Sequence, residues 1–183
     1  MDHPDPEECR GIMQRAGCRD AVISHVETVR VFAMVMAKRI AERGLAVDMT
    51  LVEAGALLHD IGRAMTHGIK HAVEGAAMAR ALGLPDALVS IIEKHIGAGL
   101  TASDAKALGL PVKDYMPETL EEKIVAHADN LTAGHSRQTL RELVGGFEKK
   151  GLFDSAKRVV SLHGELSELC GEDVDELLYN AGF

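Results

Sequence analysis

His59 and Asp60 stand side by side at the end of the apolar run "LLHDIGRA", and Gly62 and Arg63 follow at once. An imidazole nitrogen and a carboxylate oxygen are both good ligands for a divalent ion, and a packed helix end needs neither. Adjacent side chains on a regular helix point about 100° apart, so this pair can serve one centre only where the helix ends or distorts. Gly62 marks such an end. His25, His71 and His95 fall on other predicted helices or their ends, and Asp129 supplies a second carboxylate among Val125, Ala126, Ala128 and Leu131. A carboxylate buried there needs a cation or several donors to offset its desolvation. Mixed imidazole and carboxylate ligands without thiolate suit an ion such as iron, manganese or zinc engaged in hydrolysis.

Each residue also has a plainer reading. A lone histidine on an apolar helix face, such as His25, is more often a satisfied core residue than a ligand. His67 reads as an exposed loop residue, His3 and His163 read as surface residues, and His127 and His135 receive no ligand role. Arg63 is suited either to holding a phosphate through its guanidinium or to capping a helix C-terminus. Lys70, Lys94, His135 and Arg137 are weaker phosphate candidates.

The elements that position these groups are helical. From Asp20 to Arg43, Val22, Val26, Val29, Phe32, Ala33, Met36 and Ile40 recur at 3.6-residue spacing, with Glu27, Arg30, Lys38 and Arg39 off that face. Thr50 and Glu53 fit a capping box that opens a second helix, apolar on nearly every side and ending near Gly62. A third helix is expected from about Lys70 to Leu82, stopped by Gly83, and Pro85 opens a fourth carrying Ile91, Ile92 and His95. The stretch from Gly97 to Pro117 is punctuated by glycine and proline, which predicts a loop with one short helix over a pocket. Thr119 and Glu122 form a second capping box ahead of Asp129, and residues 136–183 read as two or three further amphipathic helices. Strand-like alternation is nowhere convincing, so the fold class is all-α.

Composition bounds the reading. A chain of 183 residues with 46% hydrophobic residues can bury one substantial core, so one domain spanning 1–183 is expected. The formal net charge of −8 argues against a broad nucleic-acid-coating surface. Cys9, Cys18 and Cys170 contain no C-x-x-C pair and read as reduced structural thiols of a cytoplasmic protein. The acidic N-terminus lacks an apolar leader, and no segment suggests a membrane span. Apolar helices in the last third could bury a homodimer contact.

The order His25, then His59-Asp60-Ile61-Gly62, then Asp129 within "KIVAHADNL" resembles the HD-domain metal-dependent phosphohydrolases. The resemblance covers about residues 20–134, a core to which residues 136–183 add a helical extension, and it implies an HD-domain helical bundle. It also implies that His25, His59, Asp60 and Asp129 ligate one metal ion. "KHAVEGAAMARALGLP" followed by "IIEKHIGAGL" resembles the bimetallic branch, which includes bacterial diadenosine tetraphosphate hydrolases. That implies a second site at Asp60, His71 and His95, with Asp60 as bridge, and one or two divalent ions drawn from iron, manganese, zinc, nickel and magnesium. The branch also includes cyclic dinucleotide phosphodiesterases whose Gly-Tyr-Pro element this chain lacks. The implied activity is hydrolysis of a nucleotide or other small phosphorylated molecule, with Asp60 and Arg63 as catalytic residues. The alternative is a regulatory module that keeps the metal cage and senses a nucleotide without turning it over.

Overall fold

A computed structural model describes residues 3–183 as ten α-helices, one 3-10 turn and a minimal hairpin. The all-α class therefore holds, and the hairpin, β1 (Thr132–Ala133) with β2 (Ser136–Arg137), is a departure too short for alternation to reveal. The N-terminal segment forms a helix that the hydrophobic pattern does not announce, α1 (Pro6–Ala16). Its start is local chemistry: Asp5 caps the amides of Glu7 and Glu8, Glu8 returns the capping box, and Pro6 lies in the first turn.

Helix α2 (Asp20–Glu42) buries the whole predicted stripe, with Ala37 added. Helix α3 (Met49–Leu58) corrects the expected cap. Asp48, not Thr50, is the N-cap and accepts from the Leu51 amide, while the Thr50 hydroxyl donates to Asp48. Two cap-type residues lie two positions apart, and the one whose carboxylate faces the free amides wins. Seven of the ten α3 residues are buried, and the helix runs against α1, α2, α5 (Asp86–Lys94) and α7 (Leu120–Asn130). Its apolar circumference is thus the requirement of a central helix. The Thr119–Glu122 capping box opens α7 as expected.

Gly62 plays a different part from the one predicted. It lies in the 3-10 turn Ile61–Ala64, and a Cβ there would collide with the His71 carbonyl and come within 2.6 Å of the Gly75 amide. Glycine is needed because α4 (His71–Ala81) packs its backbone against this turn, and no left-handed backbone is involved.

The segment from Gly97 to Pro117 holds the expected short helix, α6 (Ala102–Ala107), but does not line the cavity beside Asp60 described below. Leu100, Ala105, Leu110 and Tyr115 form a small separate core against Ile69, Val73 and Ile96. It thereby braces the turn that presents His71. Three helices follow: α8 (Leu140–Lys149), α9 (Phe153–Cys170) and α10 (Val174–Asn180). Val159, Leu162 and Leu166 of α9, with Val174 and Leu178 of α10, join the same core as α2 and α3. Each such burial contributes about 1.5–3 kcal/mol. No described helix is long and apolar enough to cross a membrane.

Candidate metal centre

Five elements deliver six side chains to one place. His25 comes from the second turn of α2, His59 and Asp60 from the end of α3, His71 from the start of α4, His95 from the end of α5, and Asp129 from the last turn of α7. The doublet can act together because α3 stops at Leu58: His59 keeps helical angles as the C-cap, and Asp60 departs from them at φ −98°, ψ 15°. His59, Asp60, His71 and His95 are each no more than 3% exposed.

The two oxygens of Asp60 face two different pairs of histidines. Oδ1 lies 3.0 Å from His71 Nε2 and 3.6 Å from His95 Nε2. Oδ2 lies 3.8 Å from His25 Nε2 and 3.9 Å from His59 Nε2. Asp129 Oδ1 completes the second group, 2.9 Å from His25 Nε2 and 3.5 Å from His59 Nε2. His25, His59 and Asp129 form one set of potential ligand atoms within 4.8 Å of one another, and His59, Asp60 and His95 form another.

The other ring nitrogens determine what the centre can hold. His59 Nδ1 donates to the Ala56 carbonyl, His71 Nδ1 to Gly68 and His95 Nδ1 to Ile92, each at 2.8 Å and each three residues back. His25 Nδ1 donates to the Gly134 carbonyl at 3.1 Å. This places each neutral ring's lone pair on Nε2, facing the carboxylates, as metal-ligating histidines require. His71 Nε2 and His95 Nε2 are then two acceptors only 3.0 Å apart, and His59 Nε2 and Asp60 Oδ1 are buried without a hydrogen-bond partner. Neutral rings converging in this way leave buried acceptors unsatisfied, which is costly unless a metal ion or, at His59, a proton lies among them. The residues present therefore fit a divalent ion.

Electrostatics agree. Burial alone would raise the Asp60 carboxyl, but His59, His71 and His95 outweigh it and hold it well below the usual carboxylate range. Burial opposes ionisation of Asp129 as well, and His25 and His59 again reverse the effect. His59 is pushed up to about 9, because Asp60 and Asp129 overcome its desolvation. Burial lowers His95. Both carboxylates are thus fully charged at neutral pH.

Arg63 neither caps a helix end nor stands free. Its Nε donates to Asp60 Oδ2 at 2.6 Å and its Nη1 to the His67 carbonyl at 3.3 Å. Arg63, His25 and Asp60 border a shallow cavity of about 310 Å³, the access to the centre among the described cavities. Arg19 reaches its rim, although sequence periodicity gives that residue no role. Asn130 has a positioning part that its residue type does not announce: its side chain donates to the Gly97 carbonyl and ties the Asp129 helix to the loop after His95. Its place beside Asp129 is the one signal that could have singled it out.

The remaining histidines divide. His67 and His135 are exposed, as expected for the first. His163, expected at the surface, is buried: its Nδ1 lies 3.0 Å from His127 Nε2, and its Nε2 donates to Asp173 at 3.2 Å. His3 is likewise mostly covered, beside Asp48. Cys9, Cys18 and Cys170 are free, buried thiols, and burial pushes Cys9 up to about 12.

Comparison with known proteins agrees with the geometry. A family model described as the HD domain matches residues 22–134. The chain is 48% identical over 174 residues to a tRNA (cytidine(56)-2'-O)-methyltransferase of Thermoplasma volcanium, covering 95% of itself and 50% of that relative. It thus spans about half the length of such relatives. An uncharacterized protein of Methanocaldococcus jannaschii is 47% identical over 154 residues, which cover 83% of this chain and 91% of the relative. A ribonuclease Y of Acidothermus cellulolyticus is 29% identical over 153 residues, 27% of its length. Among solved structures, the HD domain of the phosphodiesterase PgpH from L. monocytogenes superposes with a TM-score of 0.53 at 17% identity, covering 89% of this chain and 95% of that one. The HD domain match over residues 22–134, more than half of the chain, establishes that this chain belongs to the HD domain family.

Proposed function

We propose that the protein is a metal-dependent phosphohydrolase that cleaves a nucleotide or another small phosphorylated molecule by attack of water on phosphorus. The observation that carries this reading is the orientation of the four histidines: every Nδ1 is held by a backbone carbonyl and every Nε2 is turned toward Asp60 or Asp129. His25, His59, Asp60 and Asp129 would hold one ion, and Asp60, His71 and His95 a second, with Asp60 shared. A divalent ion held there supplies Lewis acidity that lowers the pKa of a nearby water and offsets charge developing on phosphoryl oxygens.

The chain's own residues do the rest. The Nδ1 bonds fix each imidazole ring, so the ligand atoms need no reorganisation during the reaction. Arg63, anchored through Nε to Asp60 and through Nη1 to the His67 carbonyl, borders the cavity and keeps Nη2 without a partner among the described contacts, so it can hold a phosphate oxygen beside the reacting group. His59, Asp60, His71 and His95 are nearly inaccessible to solvent, which strengthens the interactions on that side of the centre.

The relatives support a nucleotide substrate without naming one. The L. monocytogenes HD domain has been solved in complex with cyclic-di-AMP, and the A. cellulolyticus relative is named a ribonuclease. Methyl transfer belongs to proteins twice the length that this chain matches, so it is not carried over. Those same relatives favour a second reading, in which the module senses a nucleotide and regulates an RNA-modifying partner without turnover. The test is a screen of mononucleotides, dinucleotides and phosphoesters against protein fully loaded with manganese, iron or magnesium. Phosphate release from one class is expected. Nucleotide binding without any turnover would replace the enzyme with the sensor.

A further inference from the structure

Three of the four metal-facing histidines are fixed by their own local backbone. His59, His71 and His95 each place Nδ1 on a carbonyl three residues back, so the turn that carries the ring also orients it. His25 is the exception: its Nδ1 bonds at 3.1 Å to the Gly134 carbonyl, 109 residues along the chain. The direction of this one ring therefore depends on where a distant loop is held. Part of what holds that loop comes from α10, outside the HD match.

Gly134 and His135 make the two-residue turn between β1 and β2, and Gly134 takes φ +63° at the first turn position, where such hairpins favour glycine. Two paired residues on each strand are too few to hold a hairpin in place by themselves. Its base is tied to α7: Thr132 Oγ1 donates to the Ala128 carbonyl and the Gln138 side chain to the Asn130 carbonyl, each at 2.8 Å. Its second strand is tied to α10. Arg137 Nη1 donates to the Asp175 carbonyl at 3.2 Å and to Asp175 Oδ1 at 3.4 Å. Asp175 is itself fixed, since Oδ2 accepts from the Leu140 amide at 2.9 Å and its own amide donates to Asp173 Oδ1 at 2.8 Å. One carboxylate thus grips the chain at Arg137 and again at Leu140, just where it leaves the hairpin. The Arg137 and Asp175 side chains are only 18% and 23% exposed, so solvent screens the pair less than it would a surface ion pair.

Resting on the metal-centre reading above, we propose that Arg137 and Asp175 are positioning residues for His25. They hold the hairpin, the hairpin holds the Gly134 carbonyl, and that carbonyl holds the ring whose Nε2 lies 2.9 Å from Asp129 Oδ1. Loss of the pair frees the hairpin and lets the His25 ring turn away from Asp129. His59, His71 and His95 keep their own carbonyls and do not follow. The set His25, His59 and Asp129 therefore loosens, whereas the set Asp60, His71 and His95 does not. An ion pair that merely braced the fold would lower stability without distinguishing one set from the other.

Calorimetric titration of the metal-free full chain with manganese tests this, with His25→Ala identifying the binding step that depends on that ring. Arg137→Ala is expected to weaken this step by about three- to tenfold and to leave the other within about twofold of the wild type. Arg137→Lys, which keeps a donor for Asp175, should restore most of the loss. Asp175→Asn keeps an acceptor for the Leu140 amide and should reproduce the loss at smaller size, which provides the test if Arg137→Ala does not fold. In a His25→Ala background, Arg137→Ala should change metal binding no further, because its influence passes through that one ring. An unchanged step in the folded variants, equal weakening of both steps, or a further loss in the His25→Ala background would overturn the positioning role and leave the metal centre standing. Failure of the wild type to bind manganese would overturn the metal centre itself, and the proposal with it.

Discussion

His59 and His127 are both fully buried, and each lies within about 4 Å of another ionisable side chain, yet their environments drive them in opposite directions. His59 faces Asp60 and Asp129, which raise it to about 9 against the cost of burial. His127 faces only His163, with Asp173 beyond, and burial pushes it down to about 3. The first cluster gathers Nε2 lone pairs from four histidines around two carboxylates. The second is a line: His127 Nε2 donates to His163 Nδ1, and His163 Nε2 donates to the aspartate that caps α10. In one region several acceptors converge and call for a cation; in the other, donors and acceptors alternate from His127 Nε2 to Asp173, and a single buried acceptor, His127 Nδ1, is left without a partner. Histidine count and burial do not separate a ligand cage from a structural relay, whereas the direction of each ring nitrogen does.

That contrast can be broken by substitution. His71→Ala or His95→Ala should lower bound metal from about two ions per chain to about one and cut turnover by about a hundredfold or more. Unchanged metal content in both, measured by elemental analysis, would dissolve the second ion site. His163→Ala should do the reverse: metal content stays at the wild-type level, while stability falls by about 1–3 kcal/mol because the His127 N–H loses its buried acceptor. Urea midpoints of metal-free protein would show this, and a loss of metal instead would mean that the two regions are one site.

The opposed charge states give a subtler test. His59, raised to about 9, carries a proton that an entering ion must displace. Below that pH the proton competes with the ion, so affinity should climb by about tenfold per pH unit between pH 6 and 8 and level off near 9. Titration in buffers of different ionisation enthalpy reads the proton release directly, and a flat profile would remove His59 from the ligand set. The smallest effect concerns the helix that carries the doublet. Asp48→Ala should cost about 1 kcal/mol through loss of the α3 cap, and Thr50→Ala no more than about 0.5 kcal/mol, with thermal unfolding as the measure.

Much of this was legible in the chain. The α2 stripe could be read because a single 3.6-residue period covers its buried face, and His25, His59, His71, His95 and Asp129 could be read because they end or interrupt apolar helices. What stayed hidden has tertiary causes. The role of Gly62 depends on how closely α4 approaches, which no local pattern encodes. His163 looks solvent-facing until α7 and α9 pack and bring His127 to it. Arg19 lies six residues before His25, and only the geometry of the α2 start places it at the mouth of the same cavity. The α1 start is the exception: Asp5, Pro6 and Glu8 spell a capping box in plain view, but its apolar stripe is too short to stand out.

In the proposed centre the two oxygens of Asp60 would serve two adjacent ions. The most direct test of this arrangement is elemental analysis of metal per chain for the wild type and Asp60→Ala after loading with manganese and removal of free ion, with circular dichroism to verify that the variant is folded. About two ions in the wild type and close to none in the folded variant is the predicted result. Retention of wild-type metal content by Asp60→Ala would contradict it.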